Sequence, residues 1–305
     1  MKGLRLMSSK YQIFKEVVET GNMSKAAAEL GYSQSAVSLT IKQLESELMV
    51  TLLKREKKGV TLTEDGESYM PFINALCNAE NALYEKRNDM NRLKDATVRI
   101  GTFTSVSRNL LPLFMYDFKL KYPDVRFTLS QGTYPEILSM TQEGSVDFCF
   151  SNSLYRTPLH TRELFRDPMM AVLPPDHPLA SKKDISIYDL ADIPYILLEE
   201  GDINTSLKAF EEYDLVPKVE YTIADNYTIL AMISSGLGCT VMNKLTLSGL
   251  ATDAVIRPIK ENISRSVDLA WKQWNTMPIA SQRFAEYIIR HTPERISDIL
   301  AAESL

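Results

Sequence analysis

The chain is predicted to be an α/β protein in three parts: an amino-terminal winged helix-turn-helix, a long helix, and a carboxy-terminal body of alternating strands and helices. Three observations predict this. Residues 24–63, SKAAAELGYSQSAVSLTIKQLESELMVTLLKREKKGVTLT, carry a tight helix pair and a basic hairpin. Residues 64–94 carry a heptad of mainly apolar positions, and residues 95–305 alternate β-branched runs with helical periodicity. At 305 residues the chain exceeds one ordinary core and fits two or three domains.

In the head, Ala26, Ala27 and Ala28 let one helix lie close against its neighbours, Leu30 closes it and Gly31 supplies the turn. Ser33-Gln34-Ser35 opens a second helix, in which Val37, Ile41, Leu44 and Leu48 make one buried face. Its other face carries Gln34, Ser35, Ser38, Leu39, Lys42 and Gln43, suited to base edges and phosphates of duplex DNA. Lys54, Arg55, Lys57, Lys58 and Gly59 form a basic wing, followed by the strand Val60-Thr61-Leu62. The expected DNA-binding residues are therefore Ser33, Gln34, Ser35, Ser38, Leu39 and Lys42, with Arg55 and Lys57 on the backbone or minor groove. Charge supports this placement: residues 1–63 hold ten Lys and Arg against six Glu, a net of +4, which leaves −9 for the rest of a chain totalling −5. A basic head on an acidic body points one end at phosphate.

From Glu64 to about Lys94 the chain reads as one helix, with Thr63 as N-cap, Glu64 and Asp65 in its first turn, and Pro71 expected to kink it. Tyr69, Phe72, Leu76, Ala79, Leu83, Lys86, Met90 and Leu93 repeat at three and four residues, a seam with one charged interruption at Lys86. Such a seam is expected to pair with a second subunit; packing against the head of the same chain is the alternative.

In the body, strands are expected at Thr97–Thr102, Arg126–Ser130, Val146–Phe150, Leu164–Leu173, Ile196–Leu198, Lys218–Ile223, Thr240–Met242 and Val267–Trp274. Helices are expected from Val106 to Lys121, between Thr133 and Glu143, and near Thr205–Tyr213, Asn226–Ser234 and Ile279–His291. This alternation predicts mainly parallel sheets with helices on both faces, and a cleft between two half-domains at the carboxyl ends of strands. The residues at those ends are the candidate ligand contacts. Thr102, Thr104 and Ser105 follow the first strand, Gln131 and Thr133 the second, Ser151 and Asn152 the third; Asn204, Thr205, Asn226 and Tyr227 open helices in the other lobe. Hydroxyls and N–H groups at helix starts suit a carboxylate or phosphate. Glu199, Glu200 and Asp202 form an acidic group near the expected cleft edge, whose sharper reading is a cationic or amine-bearing effector, against an ordinary solvated loop.

The order A-A-x-x-L, S-Q-S-A-V-S, I-K-x-L-E, L-L-K-R and L-T-x-x-G over residues 27–66 resembles the amino-terminal signature of LysR-type transcriptional regulators. Ser35 stands where that family usually has proline, Leu39 where a polar or basic residue is usual, Met49 where glycine is usual, and Leu53 where phenylalanine is usual. Further fragments match in the body: Leu111-Pro112, Tyr122-Pro123, Gly144-Ser145-Val146-Asp147, His177-Pro178-Leu179, Asp189-Leu190 and Gly236-Leu237-Gly238. The resemblance implies a winged helix-turn-helix over 1–63, a dimerising linker helix over 64–94, and an effector-binding domain over 95–305. That domain would have the two-lobed fold of periplasmic binding proteins, with lobes of about 95–162 plus 267–305 and 163–266.

Other chemistry is faint. His160, His177 and His291 lack metal-ligand spacing, and Cys77, Cys149 and Cys239 are too scattered for a disulfide frame or zinc site. Cys149 and Cys239 read as buried, inert thiols. No catalytic triad, phosphate loop or dinucleotide fingerprint is visible, so no catalytic residue, metal or cofactor is expected. No apolar run approaches the roughly 20 residues of a membrane helix and Met1–Leu6 is too short for a signal peptide, so a cytoplasmic location is expected. The expected partners are promoter DNA, a small-molecule effector and further copies of the chain as dimer or tetramer, with RNA polymerase a candidate. Two other readings stay open: a DNA-binding oligomer with a vestigial cleft, and a cytoplasmic enzyme with a DNA-binding head.

Overall fold

The computed structural model describes residues 8–301 apart from 57–58, 89–92, 94 and 201–202. The head begins with α1 (Lys10–Thr20), a helix the sequence reading does not single out, followed by α2 (Met23–Leu30) and α3 (Gln34–Leu48). Each helix is capped locally. Asn22 Oδ1 accepts from the N–H groups of Ser24 and Lys25 at 2.9 and 3.1 Å, and Ser33 Oγ accepts from Ala36 N–H at 3.2 Å. Gly21 and Gly31 end α1 and α2 in the left-handed region. Phe14, Val17, Ala26, Val37, Ile41 and Leu44 are buried together as the head's core. Full burial of a Val, Ile, Leu or Phe side chain contributes about 1.5–3 kcal/mol.

The wing is the antiparallel pair β1 (Leu53–Glu56) and β2 (Gly59–Leu62). Gly59 has φ +146 and lies against the Gly21 carbonyl, which a Cβ would approach to 2.5 Å. Only glycine lets the wing sit on the end of α1 in this way.

The long helix α4 spans Glu64–Asn88, and Thr63 Oγ1 caps it by accepting from Gly66 N–H at 2.9 Å. Pro71 lies inside α4 without ending it. The helix uses two faces. Tyr69, Met70, Ile73 and Cys77 pack into the head core, whereas Phe72 (68% exposed), Leu76 and Leu83 (70%) face outward. Tyr69 thus belongs to the head contact rather than to the outward seam. Leu93 is buried in the core of the body. The side chains of Lys86 and Met90 lie outside the described residues.

The body opens with β3 (Thr97–Thr102), α5 (Thr104–Asn109), α6 (Leu111–Lys121), β4 (Arg126–Gln131), α7 (Tyr134–Glu143) and β5 (Phe148–Ser151). The single helix expected from Val106 is two, divided at Leu110, with Pro112 in the first turn of the second. Strand β6 (His160–Leu173) is followed by α8 (Ile187–Leu190), β7 (Tyr195–Leu198), α9 (Thr205–Glu211), β8 (Val219–Ile223) and α10 (Asn226–Ser234). The chain finishes with β9 (Thr240–Asn243), α11 (Lys244–Leu247), β10 (Val255–Pro258), β11 (Ser264–Trp271) and α12 (Ile279–Ala301).

Two sheets result, and β6 belongs to both. Its first half pairs with β11 in the order β6-β11-β5-β3-β4; its second half pairs with β9 and β10. Parallel β7 and β8 join the second sheet through the Tyr195–Cys239 bridge. The expectation of mainly parallel sheets needs correction. Pairs β3–β4, β3–β5 and β7–β8 are parallel, but β5–β11, β11–β6, β6–β9 and β6–β10 are antiparallel. The reason is topological: β6 and β11 carry the chain from one lobe to the other and back, and opposite crossings side by side run antiparallel. Strand β10 is a further element absent from the sequence reading; Pro258 and Arg257 interrupt its apolar pattern.

Candidate functional sites: a nucleic-acid face and an interlobe cleft

On the head, one turn of sequence separates what is buried from what is presented. Val37, Ile41 and Leu44 are fully buried, while Ser33, Gln34, Ser35, Leu39 and Lys42 are exposed and Ser38 is half-buried. Leu39, at 58% exposure, is an apolar side chain held in solvent on this face. The wing touches the same surface, since Arg55 Nη2 donates to Ser38 Oγ at 3.2 Å. The loop between α3 and the wing is fixed by Glu45, whose Oε1 accepts from the N–H groups of Leu52 and Leu53 at 2.8 and 3.1 Å. The structure thus brings Ser33, Gln34, Ser35, Ser38, Leu39, Lys42 and Arg55 onto one contiguous polar and basic face. Lys57 lies outside the described residues.

Between the lobes lies a cavity of about 400 Å³. Of the expected ligand contacts, Thr104, Ser105, Gln131, Thr133 and Asn226 line it. The others do not reach its wall, each for a physical reason. Thr102 is fully buried and donates to the Phe103 carbonyl at 3.3 Å. Ser151 and Asn152 are buried, and Asn152 Oδ1 accepts from Leu154 N–H at 3.0 Å. Asn204 is the N-cap of α9: it accepts from the N–H groups of Ser206 and Leu207 and donates to the Leu198 carbonyl at 2.6 Å. Thr205 gives both its N–H and its hydroxyl to Glu200 Oε2, at 2.9 and 2.7 Å. Tyr227 faces solvent, and its hydroxyl accepts from Arg108 Nη1 at 3.3 Å. Thr133, although on the wall, also caps α7 through Glu136. Capping saturates short polar side chains at helix starts, which is why position at a strand end selects too many candidates.

The centre of the cleft was missed by sequence reasoning. It is Arg265, on β11, with Asp167 directly opposite it on β6. Nε and Nη2 of Arg265 donate to Asp167 Oδ2 at 3.1 and 2.8 Å, Nη1 donates to Tyr134 Oη at 3.0 Å, and Nη2 donates to Ser105 Oγ at 2.7 Å. The guanidinium also lies 4.9 Å from the Phe103 ring centroid. Burial pushes the Asp167 carboxyl above the ordinary aspartate range, against the opposing pull of Arg265 and of the Leu245 N–H. Burial likewise raises Tyr134, keeping it a neutral phenol. Strands β6 and β11 carry other charged residues, among them Arg162, Glu163, Arg166 and Asp268, so nothing local marks Asp167 and Arg265 as the pair whose burial makes each demand the other.

The three thiols are buried and free, and burial pushes them up, Cys77 to about 11 and Cys149 and Cys239 to about 12. Thiols held this far from ionisation are poor nucleophiles at neutral pH. No helix among the described residues is long and apolar enough to cross a membrane.

Comparison with known proteins matches both parts of the chain. Residues 9–67 match the family "Bacterial regulatory helix-turn-helix protein, lysR family", and residues 91–293 match "LysR substrate binding domain". The Bacillus subtilis transcriptional dual regulator GltC is 27% identical over 91% of this chain and 94% of its own. The Hca operon transcriptional activator HcaR of Escherichia coli is 29% identical over 87% of this chain and 91% of its own. Among solved structures, a full-length OxyR variant from Pseudomonas aeruginosa superposes with a TM-score of 0.74 at 21% identity, covering 93% of this chain and 97% of that one. CbnR, a LysR family transcriptional regulator, gives 0.63 at 19% identity, covering 93% and 98%. With its helix-turn-helix head and its two-lobed substrate-binding body both matched, the chain belongs to the LysR family of DNA-binding transcriptional regulators.

Proposed function

We propose that this regulator reads a promoter with the exposed face of α3 in the major groove and Arg55 and Lys57 of the wing on the backbone or minor groove, and that a small molecule in the interlobe cavity sets its activity. The observation that carries the reading is the cavity itself. It joins residues of both lobes, Ser105 and Thr133 from one and Glu200 and Asn226 from the other, so an occupant touches both at once. A ligand that binds the closed arrangement better than the open one shifts the population toward closure, and only that difference in affinity does work.

Two chains pair along the outward face of α4. Phe72, Leu76 and Leu83 leave more apolar surface in water on one helix face than a lone monomer needs, and pairing would bury it. Two heads then address an interrupted, roughly palindromic site as dimer or tetramer, in the cytoplasm, where RNA polymerase is a further partner. The chain acts as a regulator and performs no catalysis of its own. The existing cavity favours a ligand-responsive protein over one with a vestigial cleft.

The test is operator affinity of the full chain, with and without a metabolite that shifts it, in wild type and in Ser105→Met. A longer side chain at Ser105 fills the cavity wall far from the head. The expected result is normal operator binding with the response lost; a response that survives intact would move the effector site elsewhere.

A further inference from the structure

The cavity wall carries an uneven charge. Glu136, Glu199 and Glu200 line it, and Arg265 is the one cation among the described residues of the lining. That cation is already engaged: Asp167 takes Nε and Nη2, Tyr134 takes Nη1, and Ser105 takes the second hydrogen of Nη2. Of the five N–H groups of a guanidinium, one is left. An incoming carboxylate would have to displace part of this network while lying beside three carboxylates, and removing an anion from water into such a site is unfavourable.

The acceptors are arranged differently. Glu200 is held still, because its Oε2 receives both the N–H and the hydroxyl of Thr205, while its Oε1 makes no hydrogen bond to the described residues. Its charge acts on Arg265 and on Tyr134, which places it within electrostatic reach of the opposite wall. Glu199 immediately precedes it, directly after the end of β7, and is exposed. Independently of the carboxylates, Asn226 Oδ1 on the same wall is buried and has no hydrogen-bond partner among the described residues. It is an acceptor that calls for a donor. Two carboxylates and an orphaned amide oxygen facing a neutralised arginine form a site for N–H donors.

Resting on the reading that the cleft holds the effector, we propose that the effector is a small organic cation whose ammonium or amidinium group is received by Glu199, Glu200 and Asn226. This departs from the expectation that Thr104 and Ser105 favour an anion. The Ser105 hydroxyl oxygen already accepts from Arg265, so that side chain serves the internal network.

The experiment uses two sets of matched probes on the full-length protein by titration calorimetry at low ionic strength: 1,4-diaminobutane, 1,4-butanediol and butanedioate, and benzylamine, benzyl alcohol and benzoate. Within at least one set the amine is expected to bind about tenfold or more tighter than its alcohol and acid. Glu199→Gln, an exposed substitution, and Glu200→Gln, which keeps an acceptor for Thr205, should each weaken the amine about threefold or more. Ser105→Met should abolish binding. If an acid binds best and Ser105→Met removes it, the cleft reading stands and the cationic class falls. If an amine binds equally well in Ser105→Met, it binds outside the cleft and the proposal falls. Absence of binding by every probe at about 10 mM, a dissociation constant too weak for a built site, would also overturn the cationic class, leaving the operator-response test to judge the cleft.

Discussion

The proposed DNA-reading face and the proposed effector cleft are both polar surfaces, but they are built in opposite ways. On α3 the exposed side chains Gln34, Leu39 and Lys42 project from one helix whose buried face is set by residues three and four apart. In the cleft, Arg265 meets Asp167 across 98 residues and Ser105 across 160. One site is a periodic pattern in a single segment. The other exists only after two lobes have closed on a shared strand. Short-range sites keep their polar groups free for a partner, whereas long-range sites spend them on each other first.

Four sets of experiments would break or sharpen that contrast, taken from the largest expected effect downward. Asp167→Ala strands a buried guanidinium and should destabilise the body by about 3–5 kcal/mol, read as a lowered denaturant midpoint. A double variant, Asp167→Leu with Arg265→Met, should recover most of the loss; failure to recover would mean Asp167 acts mainly through its bond to Leu245 N–H.

Leu76→Glu places a carboxylate on the outward face of α4. Sedimentation should show a smaller species and operator affinity should fall about a hundredfold or more, because two half-sites no longer act together. An unchanged oligomer would locate the pairing surface elsewhere.

Gln34→Ala should cost about 1–3 kcal/mol of operator binding and relax discrimination between sites. Arg55→Ala should instead weaken all duplexes alike and reduce the salt slope by about one. Replacing thymine by uracil at each operator position tests Leu39, whose exposed methyl groups should select a thymine methyl at one position; uniform indifference would remove that contact.

The smallest effect concerns Met49, which holds φ 55 at the end of α3 with its side chain 89% exposed. Met49→Gly should raise the stability of the head by about 1 kcal/mol without altering DNA preference, measured by thermal unfolding and operator titration.

The legible part of the molecule follows from the same contrast. The recognition helix, the wing and the Thr63 cap were readable because each is fixed by neighbours a few residues away. The two faces of α4 were only half readable. The heptad marked Phe72, Leu76 and Leu83, but nothing local distinguishes Tyr69, which turns to the head, or Leu93, which is buried in the body. In the cleft, strand ends picked Thr104, Ser105, Thr133 and Asn226, which line the cavity, together with Asn204 and Thr205, which do not and whose groups are consumed at the start of α9. One departure from the family pattern and one match to it also gain a physical reading: Met49 occupies a left-handed cap where glycine is free of strain, and a Cβ on Gly66 would overlap the Leu52 carbonyl.

Strand β6 has one more consequence. It runs unbroken through both lobes, and Asp167 and Pro168 stand opposite Arg265 and Ser264 where its pairing passes from one sheet to the other. The ion pair therefore sits at the fulcrum of a lever whose arms are the lobes themselves. Under the proposed function, a molecule that nudges Ser105 would pull on Arg265 close beside that fulcrum, where the lever ratio is greatest. Fractions of an ångström there would become much larger travel at the far rims. For such a machine, sensitivity depends less on how tightly the pocket grips its guest than on how stiffly the pivot is pinned.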